Sequence, residues 1–176
     1  CREIDISVAG TLALSSVAMG LAHTAGLPAE ALLFVAVGTG LACGWLNGFL
    51  VTRFMLPSIV VTIGTIALYR GLASVALGDQ AFTNYPHLMA DWGQGTFFGV
   101  VPRAFVILLG FALLFAVVLH ATTAGRRIYA IGNNPDAARF SGIAVDPYRL
   151  GLFMLTGAMA GLAGFLLAGP LGENRA

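Results

Sequence analysis

The sequence predicts an all-α, polytopic integral membrane protein, and three observations carry that expectation. The 176 residues are 58% hydrophobic and only 10% charged, with a mean hydropathy of +0.88. A soluble domain is about 45–50% apolar and about 25% charged, so this apolar excess needs a bilayer as its solvent. Apolar runs recur at residues 6–22, 30–52, 58–77, 104–121 and 150–169, close to the ~20 residues that span a hydrocarbon core. The arginines between the runs cluster, and no lysine is present. The net charge of +1 makes no case for nucleic acid.

The first run is rich in Ala, Ser and Gly, which suits a packed or path-lining helix better than a lipid-facing one. Residues 23–29, with Gly26 and Pro28, read as a turn. In the second run Gly40, Gly44 and Gly48 make two overlapping GxxxG motifs, a smooth face for close helix approach. Asn47 lies between them, and an interhelical hydrogen bond or a place in a polar path would both explain it. Leu56-Pro57-Ser58 ends the second helix and starts the third. Ser58, Thr62, Gly64 and Thr65 suit either a helix bordering a polar cavity or hydroxyls bonded back to their own helix. Arg70 lies about eight residues from the end of its run, so snorkelling, a structural pair and a transport role all remain open.

Residues 78–102 form a long loop with Asp79, Asp91 and His87, and its Tyr85, Trp92, Phe97 and Phe98 suit an interfacial belt. The fourth run, mostly Leu, Val and Phe, reads as lipid-facing. The fifth carries Gly157, Gly161 and Gly164, again a packing face.

Residues 122–149 hold four of the nine arginines, Arg126, Arg127, Arg139 and Arg149, against two acids, which places the stretch in the cytoplasm. Arg53 then also lies inside, and the 78–102 loop outside. Within the stretch a short helix has both ends marked. Asn134 is a good N-cap, Pro135 suits the first helical position, Asp136 favours the positive helix end and Gly142 suits the stop. About seven helical residues are not stable alone in water, so this helix must dock on its own protein or on a partner.

Motifs for enzyme chemistry are missing. GxxxxGK[ST] cannot occur without lysine, Gly38-Thr39-Gly40 lies inside a membrane run, and no HExxH, nucleophile elbow or paired carboxylates occur. Cys1 and Cys43 have no metal-ligand spacing, so neither a metal nor a cofactor is expected. An ion-driven carrier would place an Asp, Glu or His within a span. His120 stands only near a span end, and Asp5 enters a span only if its run starts earlier, so energy delivered by a partner is favoured, with an ion-coupled carrier or channel and a membrane scaffold as alternatives. The start at CREIDIS without Met, and the end just after an apolar run, read as a fragment of a longer membrane protein.

Four blocks together resemble a known family. REIDISVAG at residues 2–10, GWLNGFLV at 44–51, LPSIVVTIGTIALYRGLA at 56–73 and GRRIYAIGNNPDAARFSGIAV at 125–145 occur in the order seen in permease subunits of bacterial ABC sugar importers of the ribose/xylose type. The REIDIS opening and GDQAFTNYP look most like rhamnose permeases, then autoinducer-2 permeases. The resemblance implies residues 1–176 as one incomplete permease domain of the bacterial inner membrane. It lacks the family's last spans and is unable to transport alone. The implied partners are cytoplasmic ATPase subunits, a periplasmic sugar-binding protein and a second permease subunit. It also implies that the short helix couples to the ATPase through Asn134, Ala137, Ala138, Arg139, Ser141 and Gly142. Asp5, Ser7, Asn47 and Thr62 match family positions in or near the membrane core, which makes them candidates for the translocation path.

Overall fold

The computed structural model describes residues 1–78, 95–97 and 101–173, and side chains up to residue 168. Among these residues seven helices and a minimal strand pair follow in order: α1 (Val8–Thr24), α2 (Ala29–Phe54), α3 (Ser58–Leu77), β1 (Thr96–Phe97), β2 (Val101–Pro102), α4 (Arg103–Ala121), α5 (Thr123–Asn133), α6 (Pro135–Phe140) and α7 (Val145–Glu173). Among the described residues four helices are long and apolar enough to cross a membrane: α2, α3, α4 and the Val145–Ala168 part of α7. The first apolar run forms the 17-residue α1, shorter than those four. The five expected runs are therefore all helical. Of the expected outer loop, only the antiparallel pair Thr96↔Pro102 and Phe97↔Val101 is described; Asp79, Tyr85, His87, Asp91, Trp92 and Phe98 lie outside the described residues.

The core is the seam between α2 and α7, which run antiparallel. A Cβ on Gly40 would overlap the carbonyl of Gly157, and one on Gly157 would overlap that of Gly40. A Cβ on Gly161 would overlap the Ala36 carbonyl. The two glycine faces read from the sequence thus meet through Gly40, Gly44, Gly157 and Gly161, while Gly164 faces Leu12 and Ser16 of α1. α1 packs into the angle between α2, α3 and α7. Met19 joins Leu32, Ala36, Phe165 and Ala168 in one apolar cluster. Val51, Val61 and Phe153 make a second cluster towards the other end.

The chain turns between α2 and α3 in three residues. Met55 adopts the left-handed conformation (φ 54°) that closes α2, and Pro57 forces the extended entry into α3. Arg70 is exposed on the outside of α3 and forms no ion pair with a described residue. No residue of α4 is buried; it leans on α5 and β2 and presents apolar side chains all round.

The last span starts five residues earlier than its apolar run, at Val145. Pro147 falls within the first turn, where a missing N–H costs nothing. α5 is a helix the hydropathy pattern does not announce. Its N-cap, Thr122, accepts from Gly125 N at 3.2 Å, and Gly125 lies so close to the Leu119 carbonyl that no side chain fits.

Candidate functional site: a capped corner helix and a buried polar strap

α6 forms as its end signals require. Asn134 Oδ1 accepts from Asp136 N (3.1 Å) and Ala137 N (3.0 Å), and Pro135 opens the helix. At the far end Gly142 takes φ +80°, its N–H donates to the Arg139 carbonyl, and Ile143 N donates to the Ala138 carbonyl, each at 3.0 Å. That pair of bonds is a Schellman closure, and it needs a left-handed residue at position 142. The helix is six residues long, so its stability comes from docking.

The dock answers whether the helix faces its own protein or the outside: it does both. Ala138 is buried with Ile131 of α5 and Val145 of α7, and Cys1, Ile143 and Tyr148 pack around them. Ala137, Phe140 and Ser141 lie on the opposite side and are exposed, Phe140 to 94%. Among the six residues carried over from the family motif, Asn134 and Gly142 thus fix the helix ends and Ala138 seats the helix. Ala137, Arg139 and Ser141 face outward. Arg139 is tied down, with Nη2 2.8 Å from Asp146 Oδ1 and Nη1 3.8 Å from Asp136 Oδ1. Phe140 has no place in the family motif; its exposure is the signal, and only a structure supplies it.

Three of the four candidates near the membrane core share one hydrogen-bond network, and Thr62 meets the same segment at the Ile4 backbone. Ser7 Oγ donates to Asp5 Oδ1 (2.6 Å), and Asn47 Nδ2 donates to Ser7 Oγ (2.7 Å). Tyr69 Oη lies within hydrogen-bond distance of Asn47 Oδ1 (3.0 Å) and the Cys43 carbonyl (2.9 Å), which share its one proton. Thr62 Oγ1 lies 3.4 Å from the carbonyls of Ile4 and Ile59, and Ser58 Oγ accepts from Ile4 N at 3.2 Å. The hydroxyls of α3 therefore face the segment ahead of α1 rather than an open cavity. Sequence reasoning missed Tyr69, because a tyrosine among apolar residues reads as packing until its hydroxyl is located.

Ser7, Asn47 and Thr62 are each at most 1% exposed. Asn47 stands seven residues before the end of α2, about 10 Å along its axis. α1 therefore begins inside the bundle, and residues 1–7 enter beside it in irregular conformation. Irregular backbone at membrane depth is tolerated only where protein satisfies its polar groups, and this network does so. Asp5 also borders a cavity of about 100 Å³ with Glu3, Arg149 and Thr156. That is small beside the roughly 300 Å³ and more of small-molecule pockets. A second opening of about 270 Å³ lies under the corner helix, between Glu3, Pro57, Arg139, Asp146 and Arg149. Arg53, Arg139 and Arg149 thus gather at one end of the bundle, as the charge count expects.

A bundle of apolar helices closed by glycine seams, with a half-exposed helix at its basic end, defines a polytopic membrane protein. The family follows from comparison: residues 1–175 match the family described as branched-chain amino acid transport system / permease component, and the chain belongs to it. The permease likeness drawn from the four motif blocks is thereby borne out, and with it a multi-pass place in the bacterial inner membrane. The autoinducer 2 import system permease protein LsrC of Yersinia enterocolitica (serotype O:8 / biotype 1B) is 35% identical over 171 residues, covering 97% of this chain and 47% of its own. The LsrC proteins of Yersinia pestis (strain Pestoides F) and Yersinia pseudotuberculosis (serotype O:1b) are likewise 35% identical, over 97% of this chain and 48% of theirs. The chain spans about half the length of these curated relatives. No solved structure matches it.

Proposed function

We propose that this chain forms part of the translocation path of an ATP-driven importer for a small sugar or sugar-like ligand, and that α6 docks on a cytoplasmic ATPase. The observation that carries the reading is α6 itself. A six-residue helix is capped at both ends, seated through Ala138, and left with Ala137, Phe140 and Ser141 uncovered at the basic end of the bundle. A helix too short to stand alone, held rigidly with one face open, suits transmission of a partner's motion. A periplasmic binding protein and a second permease subunit complete the assembly in this reading. Asp5, Ser7, Asn47 and Thr62 then serve the path by fixing the inner end of α1.

For the ligand, the REIDIS opening and GDQAFTNYP support a rhamnose-like sugar, while the relatives above are named for autoinducer 2. The two are separated by uptake of each labelled compound in a strain carrying the intact operon, with and without this gene. Loss of uptake of one compound on deletion assigns the ligand. Uptake that collapses with an ionophore while ATP persists would overturn the ATP-driven reading in favour of an ion-coupled carrier. The docking is tested by Arg139→Glu in the full-length protein: unchanged ATPase association and unchanged ligand-stimulated hydrolysis would refute it.

A further inference from the structure

The segment ahead of α1 is held at Cys1, Glu3, Ile4, Asp5 and Ser7. Cys1 packs into the apolar cluster that seats α6. Glu3 Oε1 lies 3.0 Å from Arg149 Nε, and both side chains are only about one-fifth exposed. The approach is an ion pair without an aligned N–H···O bond. Ile4 is held by Ser58 and Thr62, and Asp5 and Ser7 lead into Asn47 and Tyr69. One short strap therefore touches the seat of α6 at one end and the buried start of α1 at the other. Extended chain reaches at most about 3.3–3.6 Å per residue, so six such steps cover up to roughly 20 Å, enough to run from the interface into the membrane core.

The first turn of α7 holds both parts. Asp146 binds Arg139 of α6, and Arg149, three residues on and on the same helical face, binds Glu3 of the strap. The geometry points to the Glu3–Arg149 pair as the contact that ties movement of α6 to the inner end of α1. Its two side chains are positioning residues for import, and they act through the Asp5–Ser7–Asn47 network rather than on the ligand. The inference rests on the permease reading above. Of the ties on the strap, this pair alone is ionic among the described residues, and with both side chains only about one-fifth exposed it is screened less than a surface pair.

The test uses the full-length protein with its ATPase and binding protein in proteoliposomes, measuring labelled rhamnose, and in parallel labelled autoinducer 2, imported per ATP hydrolysed. Four forms are compared: wild type, Glu3→Arg, Arg149→Glu and the double exchange. Each single variant is expected to lower the ratio roughly five- to tenfold while the ATPase still co-purifies, and the double exchange to bring it back to within about twofold of wild type. A double exchange no better than the single variants overturns the inference, and so does a proportional fall of import and hydrolysis in the single variants. If the single variants fail to fold, Glu3→Gln and Arg149→Gln stand in, and an unchanged ratio in both overturns it equally. Wild-type vesicles without ATP-dependent uptake would sink the permease reading itself, a result distinct from either outcome.

Discussion

Gly44→Ala is expected to force α2 and α7 apart, while Gly38→Ala, six residues earlier on the same helix, is expected to leave them in place. A Cβ at residue 44 would overlap the Phe153 carbonyl and stand 2.9 Å from Met154 Cα. Carbon atoms pack best at about 3.5–4.0 Å, so the helices must part by roughly 0.6 Å or more at that contact. Both obstructing atoms are backbone and cannot rotate away. Overpacking of this kind costs about 1–3 kcal/mol. Alanine also favours the helix by roughly 0.5–1 kcal/mol over glycine, which on its own would hide part of the loss. Gly38 supplies the correction, because nothing lies within 4 Å of a Cβ there. Subtracting one variant from the other cancels the propensity gain and leaves about 1–3 kcal/mol for the seam. The assay is SDS titration in mixed micelles, followed by helical circular dichroism. Two variants lying within about 0.5 kcal/mol of each other would refute the close-packed seam as the core of the fold.

Other substitutions follow from the same geometry. Tyr69→Phe removes the donor to Asn47 Oδ1 and leaves that buried oxygen without its interhelical partner, so the same titration should show a loss of about 1 kcal/mol, in the range of hydrogen bonds between membrane helices. Asn134→Ala removes the oxygen that caps two N–H groups of α6 and should cost about 1 kcal/mol, read as faster hydrogen exchange at Asp136 and Ala137. Gly142→Ala, at φ +80°, should cost about 1 kcal/mol and raise exchange at Ile143, whose N–H closes the helix. Phe140→Ala removes a side chain that touches almost nothing in this chain, so stability should stay within about 0.5 kcal/mol. If α6 docks as proposed, ATPase association should fall roughly tenfold or more, the usual loss for a buried aromatic anchor, as measured by co-purification against ATPase concentration.

The sequence by itself determined what depends on local chemistry. Composition and run length required a bilayer and helices. Asn134, Pro135 and Gly142 dictated the ends of α6, because caps are satisfied within a few residues. GxxxG spacing on α2 and the glycines of α7 announced two smooth faces. The family motif singled out Asp5, Ser7, Asn47 and Thr62 without stating what joins them. What only the tertiary structure decided is how separate stretches meet. The two glycine faces close on each other, Tyr69 completes the Asn47 network across 22 residues of chain, and Glu3 reaches Arg149 from the other end of the sequence. The start of α5, the early start of α7 at Val145 and the exposure of Phe140 belong to the same class. Hydropathy sums over a window and is blind to direction, whereas burial and partnership depend on which side of a helix faces which neighbour. The corner helix shows both sides of this division: its ends were written in four residues, but the face it leaves open was fixed by where α5 and α7 pack beneath it.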